Sequence, residues 1–331
     1  MKLAFFEVED WQEKYLKEKL KNKNYSVKFF EEDISLKRVK KIKDIDGLGI
    51  FIYSQITKEI LDELPKLKFI VTMSTGYEHI DINECKKRGI KVCNVPYYGE
   101  NTVAEHTIGL MLSLSKKIPP SIDRVKKGNF DIEGLEGFDL NGKTLGIIGC
   151  GHIGMHVLKI AQAIGMKALV HTRTCDMKIA RKHNFRYVSL NELFSSSDVI
   201  SFHVPLNPAT KHMLNMKNIG KIKNGAYVIN TSRGGLIETN ALIYGLDKGI
   251  ISGVALDVLE DEENLKEERH LSKKHYSFRE RRMLRSNHKL LKSRDVLITP
   301  HTAFFTREAR QRILDTTINN IRNNGRKNKV N

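Results

Sequence analysis

The sequence predicts an α/β protein built from two doubly wound parallel-sheet domains. Three observations predict it. Short β-branched and aromatic runs alternate with polar stretches of helical period, first over residues 1–95 and again from Leu145 onward. The 331 residues exceed what one ordinary core organises. A Gly-rich turn, "GIIGCGHIG", opens the second run.

The elements follow in order. "KLAFFEV", "YSVKFF", "GLGIFIY", "KFIVTMS" and "IKVCNV" read as strands, with helix-period segments such as "WQEKYLKEKLKN" and "TKEILDELPKL" between them. Residues 101–128 read as one long helix or two abutting ones. Asn101 is its candidate cap, and the Pro119-Pro120 pair breaks it. Its first part, "NTVAEHTIGLMLSLSKK", is apolar almost all round, so it packs in a core or against a second subunit. In the second run "TLGIIG", "KALVHT", "DVISFHV", "GAYVINTS", "ISGVALDV" and "DVLITP" are strands. Helices are expected near 152–164, 176–183, 238–248 and 306–323. Residues 259–294 are charge-dense, free of Gly and Pro, and too long for an ordinary loop. They read as a charged insertion of short surface helices, either solvated or serving as a lid.

Composition narrows the function. Charged residues are 29% and hydrophobic residues 40%, the balance of a globular chain. No apolar run reaches the ~18 residues of a membrane helix. The opening "MKLAFFEVEDW" places acids inside what would be the apolar stretch of a leader, so it reads as a first strand, and the cytosol is the expected compartment. The net charge of +17 is scattered, with no aromatic-basic motif, so no specific nucleic-acid partner is expected. The four cysteines lack metal-ligand spacing, and no metal is expected.

"GIIGCGHIG" sets Gly149, Gly151 and Gly154 in G-x-G-x-x-G spacing, with His152 and Ile153 inside the turn. It follows a strand and opens a helix, the context in which this spacing binds a dinucleotide. Gly149 permits the tight turn, Gly151 lets the backbone approach a pyrophosphate, and Gly154 lets helix and strand pack closely. About 20 residues later an acid should hold the ribose hydroxyls. Here stand Thr172, Arg173 and Thr174. A guanidinium there pairs with a 2′-phosphate, so NADP(H) is favoured, with NAD(H) the alternative. Asp176 comes too late to replace the acid and caps the next helix. Three later segments put Arg233, then Asp257 with Glu262, then His301 just past strand ends, where open α/β sheets bind ligands.

Taken together, "STGYEHID", "NVPYYGENTVAEH", "TLGIIGCGHIG", "HVPLNPATKHMLN", "INTSRGGLIE", "ALDVLEDEE" and "ITPHTAF" resemble the D-2-hydroxyacid dehydrogenases, in their D-lactate-dehydrogenase-like branch, over nearly the whole chain. The resemblance implies two Rossmann-like or flavodoxin-like domains separated by a cleft. Residues 1–97 plus 303–331 would bind substrate, and 98–302 would bind the dinucleotide. It implies a homodimer built around the 101–128 region. It also implies hydride transfer between NADP(H) or NAD(H) and a small 2-keto or D-2-hydroxy acid of the lactate, glyoxylate or hydroxypyruvate type. His301 would pass a proton to the keto oxygen, and Glu262 would orient the imidazole and favour its charged form. Arg233 would grip the carboxylate. Asp257 would tune the cofactor or the histidine. Ser74, Thr75, Gly76 and Tyr98 match substrate-binding positions. His203, Val204, Pro205, Thr231 and Ser232 match the loops beside the nicotinamide. The chain departs from the pattern at Thr172–Thr174. It also departs at Met73, where D-lactate-type members often carry Arg, which removes a cation from the substrate rim, and at Leu259, where an aromatic is common. The first two lean toward a glyoxylate- or hydroxypyruvate-reductase-like role. The other reading is a dinucleotide-sensing, corepressor-like binding protein of the same fold.

Overall fold

A computed structural model describes all residues except 22–24 and 263–276. The chain divides into two compact units, Met1–Tyr98 with Phe305–Asn331, and Gly99–Phe304. The division falls at 98/99 and 304/305, against 97/98 and 302/303 from the sequence. Among the described residues the strands form two sheets, one of five strands and one of seven.

In the first unit β1 (Lys2–Phe5), β2 (Ser26–Phe29), β3 (Gly47–Ile50), β4 (Phe69–Thr72) and β5 (Lys91–Cys93) lie in the order β2-β1-β3-β4-β5. Every pairing is parallel. β3 and β4 are buried throughout, which is why they read as continuous apolar runs rather than alternating ones. Helices α1 (Asp10–Leu20), α2 (Leu36–Val39), α3 (Lys58–Asp62) and α4 (Ile82–Lys87) connect them. The C-terminal helix Arg307–Arg322 returns to this unit. It buries Ile313, Leu314, Ile318 and Ile321, and Asn320 Nδ2 donates to Asn94 O at 2.9 Å.

The second unit opens with α5 (Glu100–Ser115) and α6 (Ile118–Lys126). Two expectations need correcting here. The cap of α5 is Gly99, not Asn101. Asn101 lies inside the first turn and donates to Glu105 Oε1 at 3.3 Å. The proline pair does not end a helix; it sits in the first turn of α6, where a missing N–H costs nothing. The break falls earlier, at Lys117, whose φ is +52°.

Seven parallel strands follow: β6 (Thr144–Ile148), β7 (Lys167–His171), β8 (Arg186–Tyr187), β9 (Val199–Phe202), β10 (Ala226–Asn230), β11 (Ile251–Leu256) and β12 (Val296–Ile298). Their order is β12-β11-β10-β9-β6-β7-β8. The chain moves outward from β6 to β8, then returns to β9 on the other side of β6. The order therefore reverses between β6 and β9, the crevice at which such sheets bind ligands. β8 escaped the sequence reading because it has two residues and no apolar run. The connecting helices are α7 (His152–Ala163), α8 (Met177–Lys182), α9 (Leu190–Ser196), α10 (Thr239–Asp247) and α11 (Phe278–Lys292). Asp176 caps α8, accepting from Lys178 N and Ile179 N.

Helix α11 corrects the reading of 259–294 as short surface helices. It is one 15-residue helix with a Ser277–Glu280 capping box, and it buries Leu284, Asn287 and Leu290. Leu290 belongs to the core beneath β9, β10 and β11. Residues 263–276, the centre of the expected lid, lie outside the described residues.

Candidate active site

The site is built on strand ends. Gly149 follows β6 with φ +91°. A Cβ there would lie 2.5 Å from Val204 Cγ1 and 2.6 Å from His203 O, so only glycine lets the β6 and β9 loops close together. A Cβ on Gly154 would lie 2.2 Å from Gly149 O. At Gly151 the outcome is opposite: a Cβ would meet nothing within 4 Å. Two glycines are thus required by packing, and the third faces open space at the start of α7. That helix has no side-chain cap and no acid in its first turn, so its amides are left for an anion. A dinucleotide pyrophosphate fits this cradle. His152 is exposed and pairs with Glu100 Oε1 at 3.1 Å; Ile153 packs into the core.

Beside this turn, His203 Nε2 meets Ser201 Oγ at 2.8 Å, and burial pushes the imidazole down to about 4. Val204 O accepts from Ser232 Oγ at 2.7 Å. Thr231 Oγ1 meets Thr107 Oγ1 of α5 at 2.8 Å. Pro205 is exposed, and its carbonyl accepts from Thr210 Oγ1 at 2.6 Å. After β7, Thr172 is half-buried, while Arg173 and Thr174 are exposed.

Arg233, Glu262 and His301 follow β10, β11 and β12, three adjacent strands. Neighbouring parallel strands stand ~4.8 Å apart, so these ends span about 10 Å. Asn230 holds the Arg233 turn, donating from Nδ2 to Arg233 O at 2.9 Å and accepting from Ser232 N at 3.0 Å. The Arg233 side chain is half-buried, with Nη1 donating to Ser232 O. His301 Nδ1 lies 2.6 Å from Glu262 Oε1. The imidazole is 29% exposed and the carboxylate 23%, so the pair is sheltered yet reachable.

Asp257, expected to tune the cofactor or the histidine, lies against the turn that carries His301. It is buried, and its carboxylate accepts from Thr299 Oγ1, from Thr302 N at 2.9 Å and from Ala303 N at 2.8 Å. His106 Nε2 of α5 meets Thr299 Oγ1 at 3.1 Å. Asp257 therefore clamps the turn that presents His301, whose φ is +58°. A non-glycine residue in that region costs about 1–2 kcal/mol, which the clamp offsets. Thr299 and His106 were missed from sequence, because their role is a contact between segments 193 residues apart.

The 73–76 segment belongs to the first unit and follows β4. Ser74 Oγ donates to Gly76 O at 2.6 Å, Thr75 Oγ1 donates to Val95 O at 2.9 Å, and Asn94 Nδ2 donates to Thr75 O at 2.8 Å. Ser74 and Asn94 are buried, while Thr75 is exposed. Among the described residues nothing accepts from the amides of Ser74, Thr75 and Gly76. Met73 is 2% exposed, so it is a packing residue and not part of a rim. Tyr98 is half-buried, and its carbonyl accepts from Arg312 Nε at 2.6 Å.

Residues 108–303 match the D-isomer specific 2-hydroxyacid dehydrogenase family, NAD binding domain. The D-lactate dehydrogenase of Escherichia coli is 35% identical over 98% of this chain and 96% of its own. The chain belongs to the D-isomer specific 2-hydroxyacid dehydrogenases. An aromatic 2-oxoacid reductase of Clostridium sporogenes is 36% identical over 84% of this chain and 82% of its own. The structure of an Aquifex aeolicus D-lactate dehydrogenase complexed with NAD and lactic acid superposes with a TM-score of 0.84 at 36% identity, covering 97% of this chain and 94% of that one. This dehydrogenase is an NAD-dependent oxidoreductase of two parallel-sheet α/β domains.

Proposed function

We propose that this dehydrogenase reduces a small 2-keto acid to its D-2-hydroxy acid, with Arg233, Glu262 and His301 as the working groups. The observation that carries the proposal is the 2.6 Å contact of His301 Nδ1 with Glu262 Oε1 at strand ends adjoining the one that bears Arg233. Glu262 accepts a hydrogen bond from Nδ1–H and fixes the ring, so Nε2 is the atom that passes a proton to the keto oxygen. Arg233 is a fixed cation for the substrate carboxylate and for charge developing on the carbonyl. The amides of Ser74, Thr75 and Gly76 bind a carboxylate, and Tyr98 borders the substrate. A bound reduced nicotinamide dinucleotide supplies the hydride. The Gly149–Gly154 turn and α7 hold its pyrophosphate, with His203, Val204, Pro205, Thr231 and Ser232 along the other half.

Arg173 favours the 2′-phosphate of NADP(H). It is exposed, and no described residue pairs with it. Thr172 and Thr174 add hydroxyls. Ile118, Ile122 and Val125 of α6, with Phe130 and Ile132 beyond it, are exposed apolar side chains, a face suited to a homodimer. No cysteine is in a disulfide, which suits a reducing compartment, and we place the enzyme in the cytosol.

The test is steady-state kinetics with glyoxylate, hydroxypyruvate, pyruvate and phenylpyruvate, each with NADH and NADPH. Turnover of at least one keto acid, with higher kcat/KM for NADPH, is expected. Tight dinucleotide binding with no turnover of any keto acid would return the sensor reading. A preference for NADH would overturn the role of Arg173 alone.

A further inference from the structure

Between Asp257 and Glu262 stands another acid, Glu260, which no role above uses. It is 8% exposed. Its Oε1 lies 2.7 Å from His212 Nε2, and its Oε2 accepts from Thr239 N at 3.1 Å and Thr239 Oγ1 at 3.0 Å. Its carbonyl accepts from Nδ2 of the buried Asn287 at 2.9 Å. A second Glu–His pair thus lies two residues before the first, at almost the same separation, with its carboxylate the more deeply buried of the two.

Its surroundings reach both working loops. A Cβ built on Gly234, the neighbour of Arg233, would lie 2.0 Å from Leu259 O and 2.5 Å from Glu260 N. The 259–260 peptide therefore rests directly on the Arg233 turn. His212 N donates to Gly235 O at 2.9 Å, so the histidine that holds the Glu260 carboxylate also holds that turn. Glu260 meets the Arg233 turn twice, by its main chain and through His212, two residues from Glu262.

We propose that Glu260, together with His212, is a positioning residue that locks the Arg233 turn and the Glu262 loop into one mutual arrangement. This rests on the reading that Arg233 and Glu262 serve the reaction. A buried carboxylate stripped of any partner is costly, so the cluster tolerates only a narrow range of geometry. Catalytic geometry is equally narrow, since a displacement of about 1 Å can cost ~10²-fold in rate.

The experiment compares the parent with Glu260→Ala, Glu260→Gln and Phe185→Leu. Phe185 is a core residue beside β8, at the opposite edge of the sheet, and its variant controls for lost stability. Amide hydrogen exchange of peptides covering 231–238 and 257–262 is measured with Tm, NADH affinity, and kcat and KM for the best keto acid. In Glu260→Ala both peptides should exchange faster together. Its kcat should fall on the order of 10–100-fold and its KM should rise, with NADH affinity held within about twofold. Glu260→Gln keeps an acceptor for Thr239 and should recover most of kcat, while Phe185→Leu should lose Tm but keep kcat. Exchange that rises at 257–262 alone, or a kcat loss no larger than that of Phe185→Leu, would overturn the proposal. If the parent reduces no keto acid, the functional reading falls, and the exchange of the two peptides still decides whether Glu260 couples the turns.

Discussion

The first strand of each sheet leads into a helix, and the two junctions are built for opposite ends. After β6 the chain turns on Gly149 at φ +91° and enters α7 without a side-chain cap or a first-turn acid. After β1 the comparable positive φ falls on Glu7, at +59°, and its carboxylate accepts from Tyr53 N and Ser54 N, both at 2.9 Å. Helix α1 then caps itself through the Glu9–Gln12 box and carries Asp10 and Glu13 in its first turn. One strand–helix unit leaves its amides for an anion; the other satisfies them internally and adds negative charge. Two sheets of one architecture thus differ in whether their first turn leaves amides for an anion, because of a few residues there, as expected when function sits on sites rather than folds.

The largest effect should come from the proton transfer proposed for the second unit. His301→Ala is expected to lower kcat by ~10²–10⁴ while dinucleotide affinity stays close to that of the parent. Stopped-flow turnover with fluorescence titration of NADH checks this, and near-parental turnover would remove His301 as proton donor. Next comes the turn itself. Gly149→Ala must push against Val204 and His203 in a backbone region that L side chains avoid, so NADH affinity should weaken on the order of tenfold or more. Unchanged affinity by calorimetry would break the contrast between the two junctions. Arg173→Ala should lower the NADPH-to-NADH ratio of kcat/KM by about tenfold, the scale of one charge-assisted pair.

Acid sharpens the contrast from another side. Burial lowers the protonation of His203 and His79 below the ordinary imidazole value. A histidine that stays neutral when folded but charges when unfolded contributes stability that is lost as pH falls. For His203 the window runs from 6.5 down to about 4. Urea midpoints should drop between pH 7 and pH 5, and His203→Gln should flatten the slope, leaving the share due to His79. The smallest effect belongs to α1. Gln12→Ala removes the acceptor of Glu9 N and should cost about 0.5–1 kcal/mol without changing NADH affinity. A change in that affinity would show that the α1 junction takes part in binding.

Much of this was legible in one dimension. The alternation of apolar and amphipathic runs marked five strands in the first unit and six of seven in the second. The glycine spacing located the turn, and the Arg, Glu and His lay where the strand ends proved to be. The misses share a cause. Gly99 rather than Asn101 caps α5 because the cap depends on which residue first leaves helical geometry, which residue type alone does not reveal. For Asp257 the choice between cofactor and histidine stayed open because an acid at a strand end can point outward or inward, and the Thr299, Thr302 and Ala303 contacts put it beside the histidine turn. That Met73, standing where relatives often carry Arg, is buried in the first unit was likewise not visible in the sequence. Helix α11 was read as surface because its buried residues, Leu284, Asn287 and Leu290, are few among many charges.

The sequence by itself determined the architecture, the dinucleotide turn and the side chains proposed to react. These depend on local period, on conformations only glycine adopts easily, and on residue chemistry. Only the tertiary structure decided what each acid of the 257–262 segment touches. Asp257, Glu260 and Glu262 lie within six residues of one another, and nothing in their order distinguishes them. Their roles follow from what lies opposite each carboxylate, the 299–303 turn, His212 with Thr239, or His301, and those partners arrive from distant parts of the chain once the sheet has formed.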